Sequence, residues 1–161
     1  MTFRDIKLTS RYHADWWWGH GEPISFTAYP RDSGTKIGKL HDVLVQNVSG
    51  RAENSIRING STNSLIQYVR LENVAMNFTR WTKFPGAVYD NRPTKAVAPF
   101  ESHVMDAFNI RFADKVTLSR CSAVWVTNSP TYFQDSVGAE HSTVKISKFQ
   151  GESEDHPIDL K

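Results

Sequence analysis

A repeated pattern of alternating apolar residues constrains the fold of this chain more than any other feature. The stretch Val43–Val48 returns as Val69–Val74, and Val116–Cys121 returns at nearly the same spacing as Val144–Phe149. Each copy alternates apolar and polar side chains, the period of a strand with one buried face, and Asp5–Leu8 has the same character. Repeats of this length without a helical period predict a solenoid of stacked parallel strands.

Shorter apolar stretches between these copies predict a second strand in each unit. They are Pro23–Phe26, Ser55–Ile58, Ala87–Tyr89, Ala107–Ile110 and Phe133–Val137. Glycine and proline residues fall between the strands, as turns require. We therefore expect an all-β fold, a parallel β-helix of about five coils that occupies residues 1–161 as a single domain. The alternative is an antiparallel β-sandwich, which has closely spaced turns and no long-range register.

Departures from the repeat predict three long connections, at residues 9–22, 29–40 and 77–105. Insertions into a solenoid tend to gather on one face, which is often the binding face. Asn47 and Asn73 recur at one position of the repeat and are expected at strand ends. In stacked coils their side-chain amides would form a ladder, whereas two ordinary turn asparagines are the alternative.

The first long connection contains an unusual run of tryptophans between Asp15 and Pro23. Three consecutive tryptophans cannot all face one core, and partly exposed aromatic side chains commonly form binding surfaces. Flat apolar faces beside hydrogen-bonding groups suit a sugar ring, so Trp17, Trp18, His20 and Glu22 are candidate substrate-binding residues. The alternative is that two of the indoles cap a core and the third lies on the surface.

The third long connection has a similar aromatic and charged character. Trp81, Tyr89, Asp90 and Arg92 lie within it, and we expect them to line the same groove. An ion pair between Asp90 and Arg92 with a purely structural role is the alternative interpretation.

Composition excludes several classes of function. The 19 basic and 17 acidic residues are interspersed and give a net charge of +2, which argues against a nucleic-acid partner. The single cysteine, Cys121, cannot form an intrachain disulfide, and the six histidines lack ligand-type spacing, so we expect no metal site and no cofactor. No apolar run is long enough for a membrane span. Residues 1–10 alternate like a strand and do not resemble a signal peptide.

Three motifs, in this order, resemble glycoside hydrolase family 28-type, polygalacturonase-like proteins. They are Trp17-Trp18-Gly19-x-Gly21-Glu22-Pro23-Ile24, Arg51-x-Glu53-Asn54, and Trp81-Thr82-Lys83-x-Pro85-Gly86-x-Val88-Tyr89-Asp90-x-Arg92-Pro93. The resemblance implies the C-terminal coils of a right-handed parallel β-helix, a truncated stack. It also implies a pectin- or polygalacturonate-like substrate, export of the parent protein to the periplasm or the cell exterior, and a groove that includes Arg51.

The aspartate motifs that this resemblance would require are missing. Glycosidic hydrolysis needs a carboxylic acid and a carboxylate, but the chain has neither an Asn-Thr-Asp motif nor an Asp-Asp pair. We therefore expect this portion to line a substrate groove and to be inactive alone. Gly19-His20-Gly21 and Arg57-Ile58-Asn59 resemble two further family motifs, which would let His20 tune the acid and Arg57 bind a substrate carboxylate. A groove-lining His20, and a non-catalytic carbohydrate-binding or adhesin-like β-helix, are the alternatives.

The first predicted coil has no coil before it. A solenoid that begins in mid-stack leaves an uncapped strand edge and bare core, here at residues 3–8. This predicts self-association through the N-terminal coil.

Overall fold

The computed structural model describes residues 1–14, 19–126 and 130–161. These residues form 14 strands and no helix, which confirms the predicted all-β class. The described part thus holds no helix that is long and apolar enough to span a membrane. In chain order the strands are β1 (Thr2–Ser10), β2 (Ser25–Thr27), β3 (His41–Ala52), β4 (Ile56–Asn59), β5 (Ile66–Phe78), β6 (Val88–Asp90), β7 (Phe100–Ser102), β8 (Phe108–Arg111), β9 (Ala113–Asp114), β10 (Val116–Ser119), β11 (Ser122–Trp125), β12 (Val137–Glu140), β13 (Val144–Ser147) and β14 (Ile158–Leu160).

Two parallel sheets contain all but two of these strands. The first sheet has the order β1-β3-β5-β10-β13, with β9 and β11 also paired to β5, and the second has the order β2-β4-β8-β12-β14. Every strand pairing within these two sheets is parallel. The chain therefore passes from the first sheet to the second five times. This arrangement is compatible with a solenoid, and it excludes the antiparallel sandwich.

The pairing register follows the sequence repeat. Val43 pairs with Val69 and Val48 with Val74 between β3 and β5, and Val116 pairs with Val144 between β10 and β13. Residues that are equivalent in the repeat are therefore stacked on one another, as predicted. The interval from Val43 to Val69 is one complete passage through both sheets.

An apolar core lies between the two sheets. Val45, Leu71 and Leu118 from the first sheet, and Ile58 and Ile110 from the second, are buried in one continuous cluster. Removal of such side chains from water contributes about 25 cal/mol for each Å² of apolar surface. Alternation in the strands thus directs one face of each sheet into this core and leaves the other face for polar groups.

A column of residues with left-handed backbone bends the first sheet. Asp5, Asn47, Asn73, Arg120 and Lys148 occupy successive levels of the sheet and have φ between 53° and 58°. Asn73 Nδ2 donates to Asn47 Oδ1 at 2.9 Å, and Asn47 Nδ2 donates to Asp5 Oδ1 at 2.9 Å. The amide ladder is therefore confirmed. The two asparagines lie inside β3 and β5 and not at strand ends, because asparagine tolerates positive φ and the strand continues beyond the bend.

Two of the predicted second strands were wrong. Ala87–Tyr89 was expected in the stack, but Val88–Asp90 forms β6, which pairs antiparallel with β7 in a separate hairpin. Phe133–Val137 was expected as a strand, but β12 begins only at Val137. Phe133 is buried and forms only an isolated parallel bridge with Met105, so the predicted strand is reduced there to a single paired residue.

We predict that Asn47→Ala lowers the free energy of unfolding by about 1–3 kcal/mol, because alanine is strained at positive φ and two side-chain hydrogen bonds are lost. Asn47→Gly loses the same hydrogen bonds but accepts the backbone conformation, so its loss should be smaller. Urea unfolding measures both losses, with Asn77→Ala at an exposed position of β5 as the matched control. Equal losses for the alanine and glycine variants would contradict a role for the backbone conformation.

Candidate functional site

The outer face of the second sheet carries polar side chains in register. Ser25, Arg57, Asn109, Gly138 and Asp159 pair successively from β2 to β14 and form one row across the sheet. Because neighbouring parallel strands lie about 4.8 Å apart, these positions are evenly spaced along the stack. Each level of the sheet therefore contributes one residue of its outer face to this row.

A long connection covers the first part of this face. We call residues 79–107, which include the β6-β7 hairpin, the covering connection. Arg57 of β4 is fully buried beneath it: the guanidinium lies 4.2 Å from the ring centroid of Tyr89 and donates to Asn91 Oδ1 at 2.7 Å. Glu101 is 3.6 Å away and Tyr29 OH 3.3 Å away. Arg57 thus holds the covering connection on the sheet.

His20 is enclosed in a similar way. Its side chain is buried, with its ring in edge contact with Phe100 at 5.3 Å and Tyr12 at 6.3 Å between centroids. Both candidates that the sequence offered for catalysis, His20 and Arg57, therefore lie inside the wall of the site and not on its open surface.

Glu53 joins the two connections that flank the sheet. Its buried carboxylate accepts from the backbone N–H groups of Tyr12 at 2.8 Å, Trp81 at 2.6 Å and Thr82 at 2.6 Å. Thr82 Oγ1 donates at 2.7 Å, and Arg80 lies 3.4 Å away. Burial alone would raise the pKa of Glu53, but these hydrogen bonds outweigh it and hold the pKa below its usual range. Glu53 therefore stays ionised and ties the backbone at Tyr12 to the covering connection.

Three of the predicted substrate-binding residues line one cleft. This Trp81 cleft has a volume of about 530 Å³ and is lined by Thr9, Ser10, Arg11, His13, Gly19, Gly21, Glu22, Arg51 and Trp81. The Arg51 guanidinium stacks 4.7 Å from the ring centroid of Trp81, which is 36% exposed. Glu22 Oε2 accepts from His20 N at 2.8 Å. Trp17 and Trp18 lie outside the described residues.

The other predicted binding residues support these walls. Asp90 forms an ion pair with Arg92 at 2.9 Å, as the structural interpretation of these two residues predicted. Asp90 also accepts a hydrogen bond from Gly19 N at 2.7 Å. Arg92 stacks 4.6 Å from the ring centroid of Phe100. Tyr89 is fully buried between His103 and the Arg57 guanidinium. Several of the charged and aromatic residues predicted to bind substrate therefore point inward.

A second cleft, which the sequence did not reveal, lies where the covering connection leaves the sheet open. This carboxylate cleft has a volume of about 540 Å³ and is lined by Tyr89, Glu101, Ser102, His103, Val104, Asp106, Asn109, Arg111, Gln134, Asp135, Gly138, Ala139, Glu140, Asp159 and Lys161. It brings together Asp106 before β8, Asp135 before β12 and Asp159 in β14. The spacings between these aspartates in the sequence are close to the length of the repeat. Acidic residues that recur at that period were the available signal.

Asp106 is the most perturbed acid in the cleft. It is only 7% exposed, and Asn109 Nδ2 donates to its Oδ2 at 2.8 Å. Burial, reinforced by the charge of Asp135, raises its pKa to about 6. A Cβ atom at Gly138 would collide with Asp106 Oδ2, so the carboxyl group occupies space that only glycine leaves free. The fold therefore holds a carboxylic acid that is protonated in weakly acidic solution.

Two groups beside Asp106 also have shifted pKa values. Burial, together with the charge of Asp159, raises the pKa of Asp135, and Lys161 contacts Asp159. Burial lowers the pKa of His103 to about 4, so its imidazole is neutral at pH 7. The cleft therefore holds two carboxyl groups with raised pKa values beside a neutral imidazole.

A third and larger cleft extends the carboxylate cleft along the sheet. Its volume is about 900 Å³, and it shares Glu101 and Arg111 with the carboxylate cleft. Arg111 binds Glu101 at 2.8 Å and lies 3.2 Å from Glu140. The two clefts thus meet at an ion-pair cluster formed by Arg111, Glu101 and Glu140. Across the described ranges no group of three or more His, Cys, Asp or Glu side chains has the geometry of a metal site.

We predict that Glu53→Gln destabilises the fold by about 2 kcal/mol or more, because the amide presents N–H groups to backbone donors and leaves buried groups unsatisfied. Proteolysis should accelerate at residues 11–24 and 79–86, because both segments lose their common acceptor. Urea unfolding and timed proteolysis with mass analysis measure these effects, with Glu152→Gln at an exposed position as the control. Unchanged cleavage rates in both segments would argue against the role of Glu53 as their link.

Comparison of the chain with protein-family models, with curated proteins and with solved structures gave no match. The resemblance to polygalacturonase-like proteins is therefore carried by the short motifs alone. Any inference about function rests on the geometry of the clefts.

Proposed function

We propose that the chain forms a right-handed parallel β-helix that binds a polysaccharide along the outer face of its second sheet and hydrolyses it in the carboxylate cleft. Five passages between two parallel sheets and the amide ladder support the β-helix. The single observation that carries the catalytic part is Asp106, a buried carboxylic acid beside two other aspartates in an open cleft.

The residues of the cleft match the requirements of glycosidic hydrolysis. Protonated Asp106 donates its proton to the glycosidic oxygen as the bond from that oxygen to the anomeric carbon breaks. Asp135 or Asp159, in its ionised form, removes a proton from the water whose oxygen bonds to the same carbon. Asn109 and Gly138 hold Asp106 in place. These acids belong to no short motif, and the proposal departs in this respect from the expectation that the chain is inactive alone.

An extended substrate fits the continuity of the two clefts. The larger cleft adjoins the carboxylate cleft at Glu101 and Arg111, so a polymer would occupy both. Arg111 already pairs with Glu101 and Glu140, and Lys161 contacts Asp159. The carboxylates of a pectic or other uronate-rich chain would have to share or displace these pairs to bind the two cations. Such a substrate lies outside the cell, so we place the protein in the periplasm or the cell exterior.

We predict that Asp106→Asn lowers the rate of reducing-sugar release from polygalacturonate by about 10²–10⁴-fold. The asparagine side chain cannot donate the proton, although it keeps the shape of the aspartate. The wild-type rate should fall as pH rises above about 6, because the protonated form of Asp106 is lost. Asp155→Asn, at an exposed position, should keep the wild-type rate. Gly138→Ala should also lower the rate, since its Cβ displaces the Asp106 carboxyl group.

The titration of Asp106 has a readout that needs no substrate. Its pKa in the folded chain is raised from 3.8 to about 6. Its stabilising contribution is therefore complete below pH 3.8 and is lost as pH rises through about 6. The wild type should lose up to about 3 kcal/mol of stability over this range relative to Asp106→Asn. If this pH dependence of stability is observed but the chain hydrolyses no glycan, the catalytic proposal is contradicted and only the burial of Asp106 is supported.

Carbohydrate binding without cleavage is a second candidate function, favoured by the exposed Arg51–Trp81 stack. An indole face beside a guanidinium and Glu22 provides a flat apolar surface with polar neighbours, as a sugar ring requires.

We predict that Trp81→Ala abolishes retardation of the chain on polygalacturonate-containing affinity gels, because the flat contact surface is lost. Leu65→Ala removes a side chain of similar exposure far from the cleft and should be retarded like the wild type. If Trp81→Ala still binds polygalacturonate and Asp106→Asn no longer cleaves it, the second candidate function is contradicted and the hydrolytic function remains.

A further inference from the structure

The two ends of the strand stack are open in the part of the chain that the structure describes. At one end the outer edges of β1 and β2 pair with no described strand, and at the other end the same is true of β13 and β14. Each open edge presents unpaired backbone N–H and C=O groups, which are a template for another strand. Within the described residues, each sheet therefore has an unpaired edge at either end of the stack.

The apolar columns of the core also end in exposed side chains. Phe3 and Ile6 are each 38% exposed at the β1 end although they belong to the inward face, and Leu160 is 52% exposed at the β14 end. Ile146 and Phe149 are only partly covered. Apolar surface thus lies at both ends of the stack and not at one end alone.

The two ends are complementary in register. Phe3 and Ile146 are the opposite ends of one column of paired residues in the first sheet. Phe26 and Leu160 are the opposite ends of a second column, in the second sheet. If a second copy continued the stack in the same register, its Phe3 would pack on Ile146 and its Phe26 on Leu160. Apolar side chains would meet apolar side chains in both sheets.

The charges favour the same orientation. The column of left-handed residues begins with Asp5 and ends with Lys148, so in-register stacking places opposite charges side by side. The same register puts Arg4 beside Ser147 and Lys145 beside Thr2, without a clash of like charges. An association of like edges would have to be antiparallel and would bring the Asp5 end of the left-handed column against a second Asp5 end, or Lys148 against Lys148, so it lacks this complementarity of opposite charges.

We propose that copies of this chain stack head to tail, with β13 and β14 of one copy pairing in parallel with β1 and β2 of the next. The contact joins different surfaces of the two copies, so each added copy leaves a free end and the assembly stays open. The proposal does not depend on the glycosidase activity, since its contacts are the strand edges and the ends of the core columns. Thr9 and Ser10 of β1 and Asp159 of β14 also line the two clefts, so each cleft reaches one end of the stack.

Two variants that block opposite ends test the proposal. Phe3→Lys combined with Ile6→Lys places charges at the β1 end. Lys148→Glu combined with Leu160→Glu places acids at the β13–β14 end, where the first of the two introduced glutamates would repel Asp5. Sedimentation velocity over a concentration series should show a ladder of oligomers for the wild type and a monomer for each blocked variant. An equimolar mixture of the two variants should form a dimer and nothing larger, because each contributes one intact end.

Controls separate this result from unfolding and from other interfaces. Thermal melts should show that both variants fold, and Val124→Lys, which charges an exposed apolar position on the side of the stack, should associate like the wild type. High salt should weaken the wild-type oligomers through the pair formed by Asp5 and Lys148. A dimer formed by either blocked variant alone would overturn the head-to-tail arrangement, and so would a wild-type monomer at every concentration tested.

Discussion

Parallel pairing in a single register is the constraint from which the rest of this structure follows. Because each level of the stack pairs residue for residue with the next, equivalent side chains form continuous columns. Inward columns become the core, outward columns become the polar row on the second sheet, and the left-handed column with Asn47 and Asn73 bends the first sheet. One geometric rule thus sets both stability and the positions of the clefts.

The sequence predicted the stack better than it predicted the clefts. The repeat determined the pairing of Val43 with Val69 because alternation and period reflect local backbone geometry. The ends of the second strands were less accurate, since burial of Phe133 and the hairpin at Val88 depend on long-range packing. The acids of the carboxylate cleft escaped notice because they come from three levels of the stack and share no local motif.

Several residues chosen for their chemistry lie in the walls of the site. Arg57, Tyr89 and His20 are buried, and the free energy of their contacts holds the covering connection on the sheet. A motif reports which residues occur together, but it does not report which side chains face solvent. Trp81 and Glu22 line the open Trp81 cleft, so this cleft is where the predicted aromatic binding surface stays a candidate.

The long connections lie outside the paired strands, and this has an evolutionary consequence. The covering connection of residues 79–107 interrupts one level of the stack, yet β5 and β8 keep their places in the two sheets. Insertions in the part of this segment that does not contact the core would change which levels of the polar row are accessible while the strands keep their register. New ligand specificity can arise in this architecture by such loop changes, provided that the contacts of Arg57 and Glu53 and the core residues Met105 and Ala107 are kept.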